Sequence, residues 1–568
     1  MALTEAADYT SWSQESLINR ITELERRLKE TTTGAQQALN TIPISTRPKN
    51  PRASRVFDPS KYNTRLIALK FAYLGANYNG YEHHANNPTK LPAVEEELWK
   101  ALMKARLIFP TPRDGVVEGQ VNWEGCEYSK CGRTDRGVSA FGQVVGIRVR
   151  SNRPKKQQSE VMIGDAEEDG SSSPQEPDDS KKTFDPIKDE LPYPQILNRL
   201  LPPDIRVLAW CPNPPVDFSA RFSCRERRYR YFFTQPAFPP TTGERPSPGG
   251  SSNLPEGHLD IQAMQAGCRA LLGLHDFRNF CKIDGSKQLT NFERRIFRAE
   301  IEEVSTPAGA SFPAPYAFKP AIPTNDREPD TPTVKLYCLT LHGSAFLWHQ
   351  VRHIVAVLFL IGQGLEAPTL IPRLLDVEAE PLRPSYVMAD ETPLVLWDCI
   401  FPTPEAVEAR DHDVLSSESL HTGYEDALDW IYVGDEPGRE PGGGAKPPST
   451  RNSKWGVGGL VEDVWRVWHG AKMAEILAGG LLGEVSRQGT PLADSNGTVP
   501  ESATNDGRPR GQLLYFGGDA ARISGKYVPV LQKERLESVE VINEKYRIRK
   551  GIPAPDPVAD RGLGHGDE

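Results

Sequence analysis

Residues 129–143 read SKCGRTDRGVSAFGQ, and the chain continues as VVGIRV through Val149. The first part is polar and the second is dense in β-branched residues, so a loop leading into a strand over Gly142 to Val149 is expected. Gly132 and Gly137 bracket the loop and let it approach another stretch of backbone closely. Between them lie Arg133, Thr134, Asp135 and Arg136. A carboxylate flanked by two arginines is expected to stay ionised even when partly buried, because nearby positive charge lowers its pKa. Such a group can act as a nucleophile or a base. An aspartate in a turn, salt-bridged to Arg133 or Arg136, gives the same pattern, and spacing alone leaves both readings open.

Upstream, Arg65 to Tyr73 is a dense apolar run ending at Gly75, which suits a buried strand and a turn. Leu91 to Ala105 places Val94, Leu98 and Leu102 on one helical face, with Pro92 near the start. Downstream, Pro194 to Leu201 and Asp260 to Leu272 have helical patterns. Arg206 to Trp210, Arg228 to Thr234, Val334 to Leu341 and Leu394 to Asp398 read as strands. Trp348 to Leu360 is a strongly apolar helix carrying one arginine, Arg352. There is no G-x-G-x-x-G after a strand and no Walker loop, so α+β is favoured over a doubly wound parallel sheet.

Polar or Pro/Gly/Ser-rich stretches divide these elements. Residues 1–60 hold a short amphipathic helix (12–31, with Leu17, Ile21, Leu24 and Leu28 as its seam) and a linker. The globular part divides into 61–222, with an insert at 151–186, and 223–401, with inserts at 235–258 and 305–332. Low apolar content marks the first insert as disordered. Residues 402–568 form a partly disordered C-terminal extension with a helical stretch near Val461 to Leu477 and a basic stretch over Lys526 to Lys550. The 568 residues include 47 glycines and 50 prolines, and the 38% hydrophobic content fits a globular core diluted by such segments.

The net charge of −9 argues against a polyanionic partner only until it is mapped. Residues 159–190 and 401–447 each carry −8, which leaves the rest of the chain at +7. Binding depends on local charge, so nucleic acid remains a candidate. No run of eighteen apolar residues is present, so no membrane association is expected. The start has no basic-then-apolar secretory pattern. The eight cysteines contain no CxxC, which argues against both a zinc site and a disulfide framework. Nucleus or cytoplasm is therefore expected, without a choice between them; residues 47–52 are too sparsely basic for a nuclear signal.

CGRTDRGVSA resembles the GRTDxGV signature of the TruA-type tRNA pseudouridine synthases. Further stretches match that family in order: FAYLG (71–75) with Tyr78 and Gly80, AVEEEL (93–98), DFSARF (217–222) followed by RRYRY (227–231), and FLWHQVR (346–352). GLHDFRNFCK (273–282) and the helix from Arg352 to Leu365 are most similar to the eukaryotic enzymes acting at positions 38 and 39 of tRNA. Arg136 and Ser139 stand where bacterial members usually carry Ala and His. The resemblance spans residues 65–400 and leaves the inserts and most of the tail unmatched.

The resemblance implies two ferredoxin-like α+β halves forming one extended, mainly antiparallel sheet with a central cleft. It implies that Asp135 is the catalytic residue, as nucleophile at the sugar or as a base. Arg352, buried in an apolar helix and needing a carboxylate partner, would hold Asp135 ionised. Tyr229 would lie against the flipped base, with Arg227 beside it, and Arg133 would fill the space the base leaves. Tyr231, two residues on and facing the same side, is a further candidate, although a core aromatic fits equally well. His349, His353 and Trp348 read as packing residues, and His275, Asp276 and Arg278 as ordering a loop near the cleft. The isomerisation involves no redox change or group transfer, so no cofactor or metal is expected. The partners implied are tRNA and a second copy of the chain. Two rivals remain. One is a non-catalytic tRNA-binding or RNA-folding protein with GRTD as a phosphate-contacting turn. The other is a glycoside-type hydrolase, which needs a second carboxylate near Asp135 that the motifs do not supply.

Overall fold

The computed structural model describes residues 57–553 apart from 86–88, 113–118, 156–183, 238–256, 305–333, 414–422, 436–453, 457, 489–511, 518–520 and 524–526. The amphipathic helix expected at 12–31 and the larger part of each insert lie outside the described residues. The chain divides at Pro59 and Ser60, and every element below belongs to the second unit.

The long apolar runs form the middle of one ten-stranded sheet. Strand β1 (Asn63–Tyr73) lies between β3 (Ser139–Ser151) and β4 (Ile205–Cys211), antiparallel to both. The short β2 (Ser129–Lys130) pairs onto β3. In the second half, β5 (Glu226–Gln235) pairs antiparallel with β8 (Lys335–Gly343) and β9 (Leu394–Ile400). Beyond β8 come β7 (Glu293–Glu303) and β6 (Gly273–Asp276). The halves join where β3 meets β9 through the pairs Ser139–Val395 and Ala140–Leu396, the one parallel pairing among the described residues. The loop carrying Asp135 therefore ends where the two halves touch.

Strand β7 escapes a periodicity reading because ERRIFRAEIEE buries Arg294, Ile296, Ala299 and Ile301 while charged residues occupy most other positions. A register shift between Ile296 and Arg298 further breaks its alternation.

Each half has its own core. The first is built from β1, β3 and β4 with α1 (Val94–Lys104) and α2 (Tyr193–Asn198). Glutamates 95–97 open α1 and Lys104 closes it, which complements the helix dipole. The second core packs α3 (Ile261–Arg269), capped by the Asp260 carboxylate on the Ala263 N–H, against α4 (Gln350–Gly362) and α5 (Leu370–Leu375). Every residue of α4 is buried, as its all-round apolar sequence requires.

The chain after Phe401 is built into both cores. Beyond α6 (Pro404–Asp413), Leu428 and Trp430 pack on the first core, and β10 (Ile431–Tyr432) extends the sheet beside β4. The Tyr424 N–H donates to the buried Glu226 carboxylate. Following α7 (Leu460–Arg487), a hairpin of β11 (Gln512–Leu514) and β12 (Ala521–Ile523) brings Leu514 and Tyr515 into the second core, joined by Val530 and by Val539 of α8 (Val539–Lys550). Among the described residues, no helix is long and apolar enough to cross a membrane.

Candidate active site

The first half holds Asp135 through the backbone of its loop. The Gln143 side chain clamps Gly132, accepting from its N–H and donating to its carbonyl, both at 2.9 Å. The Tyr81 N–H donates to the Thr134 carbonyl at 3.0 Å, and the Tyr73 and Thr134 hydroxyls share a buried hydrogen bond of 2.7 Å. Gly80, at φ +86°, lies against this turn: a Cβ there would stand 2.8 Å from the Thr134 carbonyl oxygen. The Val138 N–H closes the turn onto the Asp135 carbonyl at 3.1 Å. Thr134 and Val138 are thus buried while the Asp135 side chain between them keeps 21% exposure.

The second half presents the start of α4. His349 caps that helix in the left-handed region, at φ 63°, and its Nε2 lies 3.4 Å from Asp135 Oδ2. Burial, with Arg352, Lys282 and Arg383 adding to it, pushes the His349 imidazole down to about 4. His349 is therefore a neutral imidazole beside Asp135 at physiological pH, and its buried Nδ1 has no hydrogen-bond partner among the described residues. Lys282 stands over the Trp348 ring at 4.5 Å, and its N–H donates to the Trp348 carbonyl. His353 is structural. Its Nδ1 donates to the His349 carbonyl, its Nε2 accepts from Arg383, and burial with Arg383 pushes it down to about 3.

Two expectations for Asp135 are corrected here. Its pKa is raised to about 6, because burial outweighs the positive charge around it. Arg352 acts in the opposite direction, as do a hydrogen bond from Trp348 and the charge of Lys282, while Glu391 pushes further upward. The cations that act most strongly on Asp135 thus come from the other half and not from its neighbours Arg133 and Arg136. Second, the carboxylate ion-paired with Arg352 is Glu391, at 2.6 Å, while Arg352 Nε donates to the Ala389 carbonyl at 2.8 Å. Arg352 still faces Asp135 electrostatically. Glu391, four residues before the joining residue Val395 of β9, is the second carboxylate that the motifs alone did not reveal.

The remaining candidates divide between site and scaffold. Tyr229 packs against both cores, edge-on to Phe346 at 5.0 Å, and burial lifts its phenol far above the ordinary range, with Asp135 among the charges it feels. Tyr231 is a core residue, 1% exposed, packed on Phe359 and donating to the Asp390 carbonyl. Arg227 does not present an open guanidinium; it donates to the carbonyls of Cys224, Ser344, Cys131 and Arg221 and so ties the GRTD loop to the second half. Arg133 is 41% exposed and lies 3.5 Å from Glu82. Asp276 forms a two-pronged pair with Arg278, and the His275 ring bonds the Leu272 carbonyl, which orders their loop.

Cysteines far apart in sequence converge, against the expectation from their spacing. The sulfurs of Cys131, Cys224 and Cys399 lie within 4.8 Å of one another in the core beside Arg227. No fourth ligand joins them among the described residues, whereas structural zinc takes four. Sequence reasoning missed His349, Trp348, Lys282 and Glu391 as members of the site. The polar residues within FLWHQVR were the available signal for the first two; no motif pointed to Glu391.

Comparison with known proteins agrees with this geometry. The profile described as tRNA pseudouridine synthase matches residues 268–402. The tRNA pseudouridine(38/39) synthase of Saccharomyces cerevisiae is 39% identical over 431 residues, covering 73% of this chain and 78% of the yeast protein. The human protein of the same name is 36% identical over 416 residues, covering 72% of this chain and 71% of its own. The tRNA pseudouridine synthase A of the archaeon Methanothrix thermoacetophila is 28% identical over 311 residues, covering 55% and 74%. With the GRTD loop at the junction of two sheet halves and relatives matched along most of their length, the chain belongs to the TruA-type tRNA pseudouridine synthase family.

Proposed function

We propose that this protein converts uridine to pseudouridine at positions 38 and 39 of tRNA, with Asp135 as the group that engages the ribose. The observation that carries this reading is the placement of Asp135: a pinned carboxylate on the rim where the halves meet, facing His349 and the charge of Arg352. The positions follow those in the names of the yeast and human relatives.

The reaction breaks the N1–C1′ bond and joins C5 to C1′. The proton lost from C5 is balanced by one gained at N1, so the product is an isomer. The stacked uridine must first leave the helix, at a cost of a few kcal/mol. Lys and Arg contacts to the backbone supply that energy and position the tRNA by shape. With its pKa near 6, Asp135 is mostly ionised at pH 7 and above, yet buried enough to be poorly solvated and reactive. It either attacks C1′ or takes a sugar proton. Tyr229 stays a neutral phenol and stacks on the extruded base. Arg133, on the exposed side of the loop, occupies the gap in the tRNA. The protein acts as a homodimer, so that one tRNA touches both subunits.

The test is to incubate the purified chain with unmodified tRNA and map pseudouridine by carbodiimide treatment and primer extension. Stops at 38 and 39 support the reading. Bound tRNA without any stop would make the protein a non-catalytic RNA binder.

A further inference from the structure

The Arg352–Glu391 pair is an unusual arrangement for a site that receives a polyanion. Arg352 is almost fully buried, its side chain 8% exposed, while the Glu391 carboxylate that it binds is 35% exposed. Glu391 precedes β9 and lies over the Asp135 loop at Gly137. A Cβ on Gly137 would stand 2.7 Å from Glu391 Cγ, and the residue's φ of +80° suits glycine. Glu391 is therefore seated on the loop through a space that only glycine leaves. One guanidinium thus faces two carboxylates, Asp135 and Glu391, and its closest bond is to Glu391.

We propose that Glu391 is a positioning residue that holds Arg352 away from Asp135 until tRNA arrives, and then yields it. The inference rests on the reading of Asp135 as the group that engages the ribose. The Ala389 carbonyl anchors Arg352 through Nε, so the guanidinium can exchange its Nη2 partner without leaving the site. An approaching phosphodiester repels the partly exposed Glu391 carboxylate and leaves the buried cation to the remaining one. The exchange makes and breaks no covalent bond. Any proton on Asp135 passes to solvent as Arg352 turns to it, so the nucleophile or base is fully charged only with substrate in place.

The groups facing Asp135 come from several elements of the second half. From α4 and its cap come Arg352 and the neutral His349; Lys282 stands beside Trp348; Glu391 precedes β9; and Tyr229 lies on β5. Removing the charge of Glu391 takes away a repulsion and frees Arg352, and both effects lower the Asp135 pKa. Removing Arg352 has the opposite sign. A residue that only supports the fold would produce neither pattern.

The experiment measures second-order single-turnover rates on unmodified tRNA, at enzyme concentrations well below the Kd so that the profile titrates the free enzyme, from pH 5 to 8 for the full-length wild type, Glu391→Gln, Glu391→Ala and Glu391→Asp. Glu391→Gln keeps shape and hydrogen bonding at a partly exposed position, so the fold is retained. The acidic limb should move downward by about half to one pH unit in Gln and Ala, raising the rate at pH 5.5 by ~2- to 3-fold. It should stay with wild type in Glu391→Asp, which keeps the charge. An acidic limb that does not move in Gln or Ala overturns the proposal. Asp135→Asn run alongside separates the two levels of inference: turnover that survives that change removes Asp135 from the chemistry, whatever Glu391 does.

Discussion

The two halves of the sheet contribute to the site in different ways. The first half holds Asp135 by geometry: backbone hydrogen bonds, a glutamine clamp, a tyrosine–threonine pair and a glycine contact fix the loop. The second half offers little that fixes the position of Asp135. It supplies the environment instead, a buried arginine, a neutral histidine cap, a lysine over tryptophan and a competing carboxylate. The difference teaches that placement and tuning are assigned to separate cores. A change in the first half should alter how often the carboxylate is in position. A change in the second should alter its charge at a given pH.

The largest test removes the group itself. Asp135→Asn should reduce turnover by at least ~10³-fold, with tRNA affinity changed by less than about tenfold, or roughly 1.4 kcal/mol. The same variant should be more stable than wild type at neutral pH. The folded-state pKa near 6 lies above the ordinary carboxylate value of 3.8, so the native state holds this proton more tightly than the unfolded chain does. Its stabilising contribution is present below the ordinary value and is lost as pH rises through about 6. Thermal melts at pH 7.5 should favour Asn by roughly 1–3 kcal/mol, and by much less at pH 4. Equal stability at both pH values would show that burial does not act on Asp135 as described.

Next comes the main cation of the second half. Arg352→Met should move the acidic limb of the single-turnover profile upward, opposite in sign to Glu391→Gln, and slow the neutral-pH rate by about 10-fold. Arg352→Lys should be a partial rescue, since one ammonium cannot hold Ala389 and a carboxylate in a planar fork. If Arg352 only meets tRNA phosphate, affinity falls, the salt dependence flattens by about one unit and the pH profile stays put.

A smaller effect is expected from the placement side. Tyr73→Phe leaves the buried Thr134 hydroxyl without its 2.7 Å partner and should cost about 1–2 kcal/mol in urea unfolding. Turnover should fall several-fold without a change in the pH limb. A moved limb would break the division between placement and tuning. The smallest effect is at the histidine cap. Asn tolerates the left-handed conformation that His349 adopts, so His349→Asn should fold normally and lose about threefold in rate through the missing contact with Asp135. A loss as large as that of Asp135→Asn would make His349 a direct participant.

What the sequence determined by itself was whatever depends on local pattern. The apolar runs at 65–73 and 142–149 are central strands because burial on both faces demands them, 228–234 is a strand that buries one face through Tyr231 and Phe233, and the apolar stretch after Trp348 is the buried α4. The loop with Asp135 was legible because its residue types and glycines stand side by side in the chain. Strand β7 was not, since its charged face hides the alternation, and β10 is too short to signal at all. Tertiary structure alone decided the partners. Glu391 lies 39 residues from Arg352 in sequence, and only the packing of α4 beside the start of β9 brings them together. The convergence of Cys131, Cys224 and Cys399 has the same origin. The sign of the Asp135 shift was likewise invisible in GRTDR, where two adjacent arginines suggest a lowered pKa. Desolvation depends on how much protein surrounds a group, and that quantity exists only once the halves have closed on the loop.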